Sequence, residues 1–267
     1  MPLLATAGGA SVRGFRPYSS QAAASFIAAL GGSITVSGNY RYHTFNGSGT
    51  FEVTAAPAGK FIDILLVGGG GATGGNSSCG GGGGVVIKEN ELVSVGSYSI
   101  TVGGINANAF GDGGQSVALG FTALGGGGGG VSSFTQSAVN GRSGGSGGGA
   151  GVWFGGPSGV GDPVSGVPGS GLQPTSASGG FGNAGGYGVL TALPGGGFSM
   201  VGAAGGGACG AASGNTAGPG KSGSPLSSSL YGGGGQTSLA PTSNSGYGGS
   251  STHSPAAGIV IIRYLYQ

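Results

Sequence analysis

Few residues of this chain have side chains that could do chemistry. There are two histidines, His43 and His253, and six acids, Glu52, Asp63, Glu89, Glu91, Asp112 and Asp162. A hydrolase needs a nucleophile, a base and an orienting acid within reach of one another. Serines are plentiful but none sits in a strand–turn–helix elbow, and no two acids are marked out for glycosidase chemistry. No set of ligands stands at a metal-binding spacing. Gly69-Gly70-Gly71-Ala72-Thr73-Gly74 satisfies the dinucleotide fingerprint, with Glu91 further along. That motif needs a helix whose N-terminus faces the pyrophosphate, and Asn76-Ser77-Ser78-Cys79 starts none. Gly220-Lys221-Ser222 imitates the end of a phosphate loop, but Asn215 stands where its first glycine belongs. In a chain with 73 glycines both patterns arise by chance. We therefore expect no catalysis, cofactor or metal.

The chemistry that is left is surface recognition. Isolated aromatics interrupt the glycine blocks: Phe134, Trp153, Phe154, Phe181, Tyr187, Phe198, Tyr231 and Tyr247. Such side chains supply contact area at low entropic cost and are enriched in binding hot spots. Trp153-Phe154 opens a Gly/Pro/Ser-rich stretch that contains Asp162. Trp153, Phe154, Asp162, Tyr187 and Tyr231 are the candidate contact residues. The competing reading is that any one of these aromatics plugs a gap at the end of a glycine block or fills a subunit interface.

The scaffold that positions them is mostly glycine. Of 267 residues, 73 are glycine and 12 proline, a proportion that alone suggests disorder. Disordered chains, however, combine low hydropathy with high net charge. This one has a mean hydropathy of +0.22 and a net charge of +2, with only 5% charged residues. The blocks are uneven, which excludes the strict repeat of collagen. The alternative to disorder is backbone packed on backbone. Polyproline-II-like glycine helices have three residues per turn and no internal hydrogen bonds, so every N–H and C=O is offered to a neighbour. The scattered Lys and Arg residues make no basic patch for nucleic acid. No apolar run approaches the ~20 residues of a membrane-spanning helix, so no membrane insertion is expected. The N-terminus is a poor signal peptide, because Arg13 and Arg16 interrupt the stretch after Leu3-Leu4. Cys79 and Cys209 allow at most one disulfide, and read as small residues tolerated in glycine-rich turns.

The chain divides into three zones. Residues 1–32 form a short head that cannot fold alone, with an apolar stretch, Gln21–Leu30, able to make a helix turn or two. We expect it to be a docking arm. Residues 33–124 carry strand signals at Ser33–Val36, Tyr40–Phe45, Thr50–Thr54, Phe61–Val67, Val85–Lys88, Leu92–Val95 and Tyr98–Val102. Glu89–Glu91 reads as a polar turn, and Asp63 inside the apolar run should find a partner, since an unpaired buried carboxylate is costly. Nine of the fourteen charged residues lie between Arg13 and Glu91. Residues 125–257 are the main glycine region. The closing run Gly258–Tyr266 is a strong strand that must return to pair with the early ones, making one domain, 33–267, with a long insertion.

These residues carry a resemblance. His43–Val53, Ile64–Gly71, Tyr98–Gly104, the repeated glycine blocks and the terminal Gly258–Tyr264 together resemble the glycine-rich domain of many bacteriophage tail-fibre and tail-tip proteins. A similar domain occurs in receptors of the anaplastic lymphoma kinase family. The resemblance implies an all-β, jelly-roll-like sandwich with an inserted polyglycine-II helix bundle. The opening Met1–Phe15 also looks like the start of short phage virion proteins. The expected function is that of a non-enzymatic tail-fibre or tail-tip protein. Residues 1–32 would bind other tail proteins, the chain would form a homotrimer, and inter-glycine loops would contact a host surface receptor. The alternative is a purely structural virion protein, a decoration or connector without receptor contact.

Overall fold

A computed structural model describes residues 25–74, 78–106, 108, 110–131, 139–153, 164–194, 197–236, 238 and 240–267. The strands are β1 (Ala28–Leu30), β2 (Ser33–Ser37), β3 (Tyr40–Phe45), β4 (Gly49–Ala55), β5 (Phe61–Val67), β6 (Val85–Leu92) and β7 (Gly96–Ile100). Short pairs come next: β8 (Ser116–Ala118) with β9 (Phe121–Ala123), β10 (Val152–Trp153) with β11 (Val164–Ser165), and β12 (Val189–Leu193) with β13 (Gly197–Val201). Then come β14 (Lys221–Ser222) with β15 (Leu230–Tyr231), and last β16 (Ile259–Leu265). Among the described residues, the helical content is one 3-10 turn at Gln173–Thr175. The fold is all-β.

Two antiparallel sheets form a jelly-roll-like sandwich. One has the order β2-β3-β16-β5-β6 and the other β1-β4-β7. β16 lies at the centre of the larger sheet, pairing with β3 on one side and β5 on the other. The returning C-terminal strand therefore joins strands about 190 to 225 residues upstream, as its hydrophobicity requires. The alternation of side chains along a strand explains why β5 and β16 are apolar at almost every position. Ile62, Ile64, Leu66, Val260, Ile262 and Tyr264 face Phe51, Val53 and Ile100 of the smaller sheet in one core. Leu65, Val67, Ile259 and Ile261 face the other way into a second core with Val85, Ala208, Leu226 and Tyr231. A strand buried on both faces loses its alternating pattern.

Asp63 does find partners. Its Oδ2 accepts from Arg263 Nε at 2.9 Å, and its Oδ1 from the backbone N–H of Asn90 at 3.0 Å. The second contact sits where the β5–β6 register shifts between Ile62 and Ile64, and Asn90 takes a left-handed φ of 59° there. The expected turn at Glu89–Glu91 is thus a bulge inside one continuous strand, Val85–Leu92, and Leu92 is its end rather than the start of a new strand. Gln173 is another buried polar anchor. Its Oε1 accepts the Leu124 N–H at 2.6 Å and its Nε2 donates to the Gly179 carbonyl at 2.6 Å.

The glycine segments form a lattice that continues from the strand ends at Val67, Val85 and Ile259, while Ala208, Leu226 and Tyr231 cover the outer face of the larger sheet. Within residues 68–72, Gly68 and Gly71 donate to Gly84 and Gly81, and Gly69 and Ala72 donate to Gly114 and Gly111. Gly70, lying between them, donates to Ala256. Within 79–84, Cys79 and Gly82 donate to Ala203 and Gly206, Gly80 and Gly83 to Gly249 and Gly246, and Gly81 and Gly84 to Gly127 and Leu124. Residues i and i+3 point at the same neighbour and i+1 and i+2 at two others. This three-residue period, with every bond going to another segment, is that of polyglycine-II-like helices. Most of the segments are fully buried, so side chains are excluded by crowding. A Cβ on Gly127 would collide with the Arg142 carbonyl, and one on Gly71 with that of Gly127.

Two boundaries differ from the sequence reading. The end of the 1–32 head belongs to the sandwich: β1 pairs with β4, and Ile27 and Ala29 enter the core. Ala28–Leu30 is a strand because that pairing overrides the helical preference of alanine; residues 21–24 lie outside the described residues. The glycine lattice also begins well before 125, since 68–72, 79–84 and 111–114 are full members of it.

Candidate recognition surface

Strand direction fixes two poles. β5 runs from Phe61 to Val67 and passes straight into the lattice at Gly68, which sends the chain back to β6 at Val85 and β16 at Ile259. Phe61, Leu92 and Leu265 therefore mark the pole away from the lattice. β4 also ends there, at Ala55, because only residues 56–60 separate it from Phe61. Ala28 pairs with Ala55, and Lys60 Nζ stands 5.1 Å from the centre of the Phe26 ring. The chain thus enters the sandwich at Phe26–Ala28 and leaves it at Leu265 on the same pole.

The opposite pole is defined by parallel glycine segments. Gly127 and Gly130 donate to Ser146 and Gly149, and Gly147 and Ala150 donate to Asn183 and Gly186. Segments running side by side in one direction end together, so the chain departs from the lattice at Val131, Gly151 and Tyr187 on one face. Gly126 and Gly129 donating to Gly69 and Ala72 place the departure at Thr73 there too. Six residues of such a helix span about 18 Å, which sets the depth of rigid backbone between sandwich and tip.

The candidate contact residues divide on this frame. Tyr187 comes directly after Gly186 at the tip and is 59% exposed. Trp153 is in β10, opposite Val164 of β11, one turn past Ala150 at the same tip. Phe154 and Asp162 lie outside the described residues, in the stretch that joins β10 to β11. Tyr231 does not belong with them. It is 6% exposed in the second core, with its hydroxyl 3.0 Å from Ser227 Oγ, on the sheet side of the lattice. Its glycine neighbours make it look like a loop residue, yet the sheet beneath them needs an apolar cover. Tyr247 likewise serves packing, its ring occupying the space a Cβ on Gly233 would need. The structure brings Trp153 and Tyr187 to one pole and takes Tyr231 away from it.

The other polar groups are mostly committed. His43 is buried, its Nδ1–H donating to the Gly31 carbonyl at 2.7 Å and its Nε2 accepting from the Tyr264 hydroxyl at 3.0 Å. Desolvation holds its pKa below the ordinary histidine value, with Arg41 adding to the effect against the opposing Gly31 carbonyl. Asp112 locks the lattice edge: Arg142 donates to it twice at 2.7 Å, and the Gly128 N–H once at 3.0 Å. Burial alone would raise the Asp112 carboxyl, but Arg142 and Gly128 outweigh it and hold it below the usual carboxylate range. Burial pushes the Cys79 thiol up to about 11, whereas Cys209 is exposed. Among the described residues, no three His, Cys, Asp or Glu side chains converge as metal ligands.

One feature at the tip has no local sequence signal. Ile105, Asn106 and Asn108 come together with residues 250–255 beside Thr73 to line a cleft of about 400 Å³. Its walls include His253, and the turn that carries it is organised by Ser250, whose N–H donates to the His253 carbonyl at 2.8 Å.

The model of a family described as a glycine-rich domain matches residues 44–265. No curated protein matches the chain.

Proposed function

The chain belongs to the glycine-rich domain family, and we propose that it is a non-enzymatic recognition protein of a bacteriophage tail, a tail-fibre or tail-tip component that contacts the host surface. The observation that carries this reading is the separation of poles. Entry and exit of the chain lie at one end of the sandwich, and the connections bearing Trp153 and Tyr187 lie at the other. A lattice built mostly of glycine holds them apart. In the proposed arrangement the head, residues 1–32, docks to other virion proteins at the first pole and the loops meet a host receptor at the second. Aromatic anchors on a rigid support suit binding, because little conformational freedom is lost.

The purified chain should compete with intact particles for adsorption to host cells. Absence of competition at saturating protein would remove the receptor-binding reading. A second reading, a structural virion protein without receptor contact, draws on the apolar side chains exposed on the sandwich. Ile34 and Val36 on the outer strand β2, and Leu92 and Val95 near the first pole, are all open to solvent. An uncharged edge strand of this kind is a pairing hazard unless covered, and a homotrimer would supply the cover.

A further inference from the structure

We propose that the cleft between Asn106, Asn108 and residues 250–255 binds a neutral saccharide, of the size of one or two sugar rings. The proposal deepens the recognition reading, on which it rests for placing this pole against a host surface.

The lining is the first argument. No Asp, Glu, Lys or Arg contributes to it among the described residues. An anionic sugar would find no cation, and a charge brought out of water without a partner is heavily penalised. The polar groups present are amides, hydroxyls and an imidazole, which both donate and accept, as sugar hydroxyls do.

The second argument is which of these groups are uncommitted. Asn106 Oδ1 accepts the Asn108 N–H at 3.1 Å, which fixes the Asn106 amide and leaves its NH2 group without a partner among the described residues. The Asn108 side-chain amide has none there either. His253 Nδ1 is engaged by Thr252 Oγ1 at 2.8 Å, so the ring is held with Nε2 left over. Ile105, 47% exposed, and Pro255 add aliphatic surface to the same walls, suited to the C–H face of a pyranose. A cleft of about 400 Å³ falls at the lower end of small-ligand sites.

The third argument is support. Gly249 donates to Gly71 and Ala256 donates to Tyr247, so both ends of the 250–255 turn are tied into the lattice. On the other wall, the Phe110 N–H donates to the Thr73 carbonyl. Binding groups held this way need little reordering on association.

The test is a titration of the 15N-labelled full chain, monitored by NMR. The probes are methyl glycosides of glucose, galactose, mannose and N-acetylglucosamine, their disaccharides, and N-acetylneuraminic acid as the anionic comparison. At least one neutral sugar should shift the Asn106 and Asn108 side-chain amides and the His253 ring while leaving Tyr187 unmoved. Asn108→Ala and His253→Ala should each weaken that binding about tenfold with the melting temperature unchanged. Silence of every neutral sugar at about 10 mM, equal binding of the acidic sugar, or unchanged affinity in both variants would overturn the proposal. Adsorption competition by a chain that ignores all sugars rejects the cleft alone. Sugar binding without competition rejects the adhesin reading and leaves the cleft standing.

Discussion

Asp63 and Arg263 face each other as a cross-strand pair of β5 and β16, joined at 2.9 Å across a sequence separation of 200 residues. The bridge closes the sandwich over the whole glycine insertion. Both side chains are largely buried, and the guanidinium also lies 4.4 Å from the centre of the Tyr40 ring and donates to the Pro225 carbonyl. Removing one partner of a buried pair leaves the other charge uncompensated, which costs more than the pair contributes. Asp63→Ala should therefore lower stability by about 2–4 kcal/mol, read from chemical denaturation. It also frees the Asn90 N–H, so the β6 bulge should lose amide-exchange protection. A variant as stable as the parent would mean the pair is dispensable.

Gly127 tests the lattice itself. Its N–H donates to Ser146, and a Cβ there would run into the backbone carbonyl of Arg142, which is itself bonded within the lattice. Backbone cannot step aside as a side chain can, so Gly127→Ala should cost at least about 1–3 kcal/mol. Gly47 is the control: it is exposed, and a Cβ there meets nothing within 4 Å. Gly47→Ala should stay within about 0.5 kcal/mol of the parent. Equal melting temperatures for the two variants would argue against backbone packing around Gly127.

The sandwich is more legible in the sequence than the lattice, for physical reasons. β5 and β16 announce themselves because strands buried on both faces are apolar at nearly every position. β1, with the sequence Ala-Ala-Leu, has no such signal, and its conformation comes from β4. The bulge at Asn90 is hidden because its cause, Asp63, is far away in sequence. The presence of a glycine lattice can be inferred from hydropathy and charge. Its register cannot, since one glycine offers a neighbour the same N–H and C=O as any other. The same limit applies to the tip. Trp153 and Tyr187 are visible as aromatics in glycine surroundings, but so is Tyr231, and only the sheet beneath it tells the two kinds apart. The Asn106–His253 cleft joins two connections remote in sequence, with no spacing to mark it.

His43 makes stability depend on pH. Its neutral ring satisfies both the Gly31 carbonyl and the Tyr264 hydroxyl, and a second ring proton would cost the Tyr264 hydroxyl its acceptor. Burial lowers its folded-state pKa below 6.5, so the unfolded chain binds this proton more readily than the folded one. The stabilisation is then complete above the unfolded pKa and is lost as pH falls toward the folded pKa. The melting temperature should begin to drop as pH falls below the ordinary histidine value of about 6.5. An NMR titration of the ring should show His43 titrating below 6.5. A ring that titrates at or above that value would contradict the burial argument.

Tyr187 and Tyr231 separate contact from core. Tyr187 is 59% exposed at the tip, whereas Tyr231 packs with Leu65, Val67 and Val85 in the second core. Tyr231→Ala should leave a cavity between sheet and lattice and cost about 2–4 kcal/mol, lowering the melting temperature. Any effect on adsorption should then track the loss of folded protein. Tyr187→Ala removes no buried contact and should leave the melting temperature within error of the parent. If the tip meets the receptor, the same variant should compete about tenfold less well for adsorption, as truncation of an interface aromatic usually does. The informative result is the pair of measurements on each variant. Weakened competition with intact stability in Tyr231→Ala would place the contact surface on the sheet side of the lattice and not at the tip.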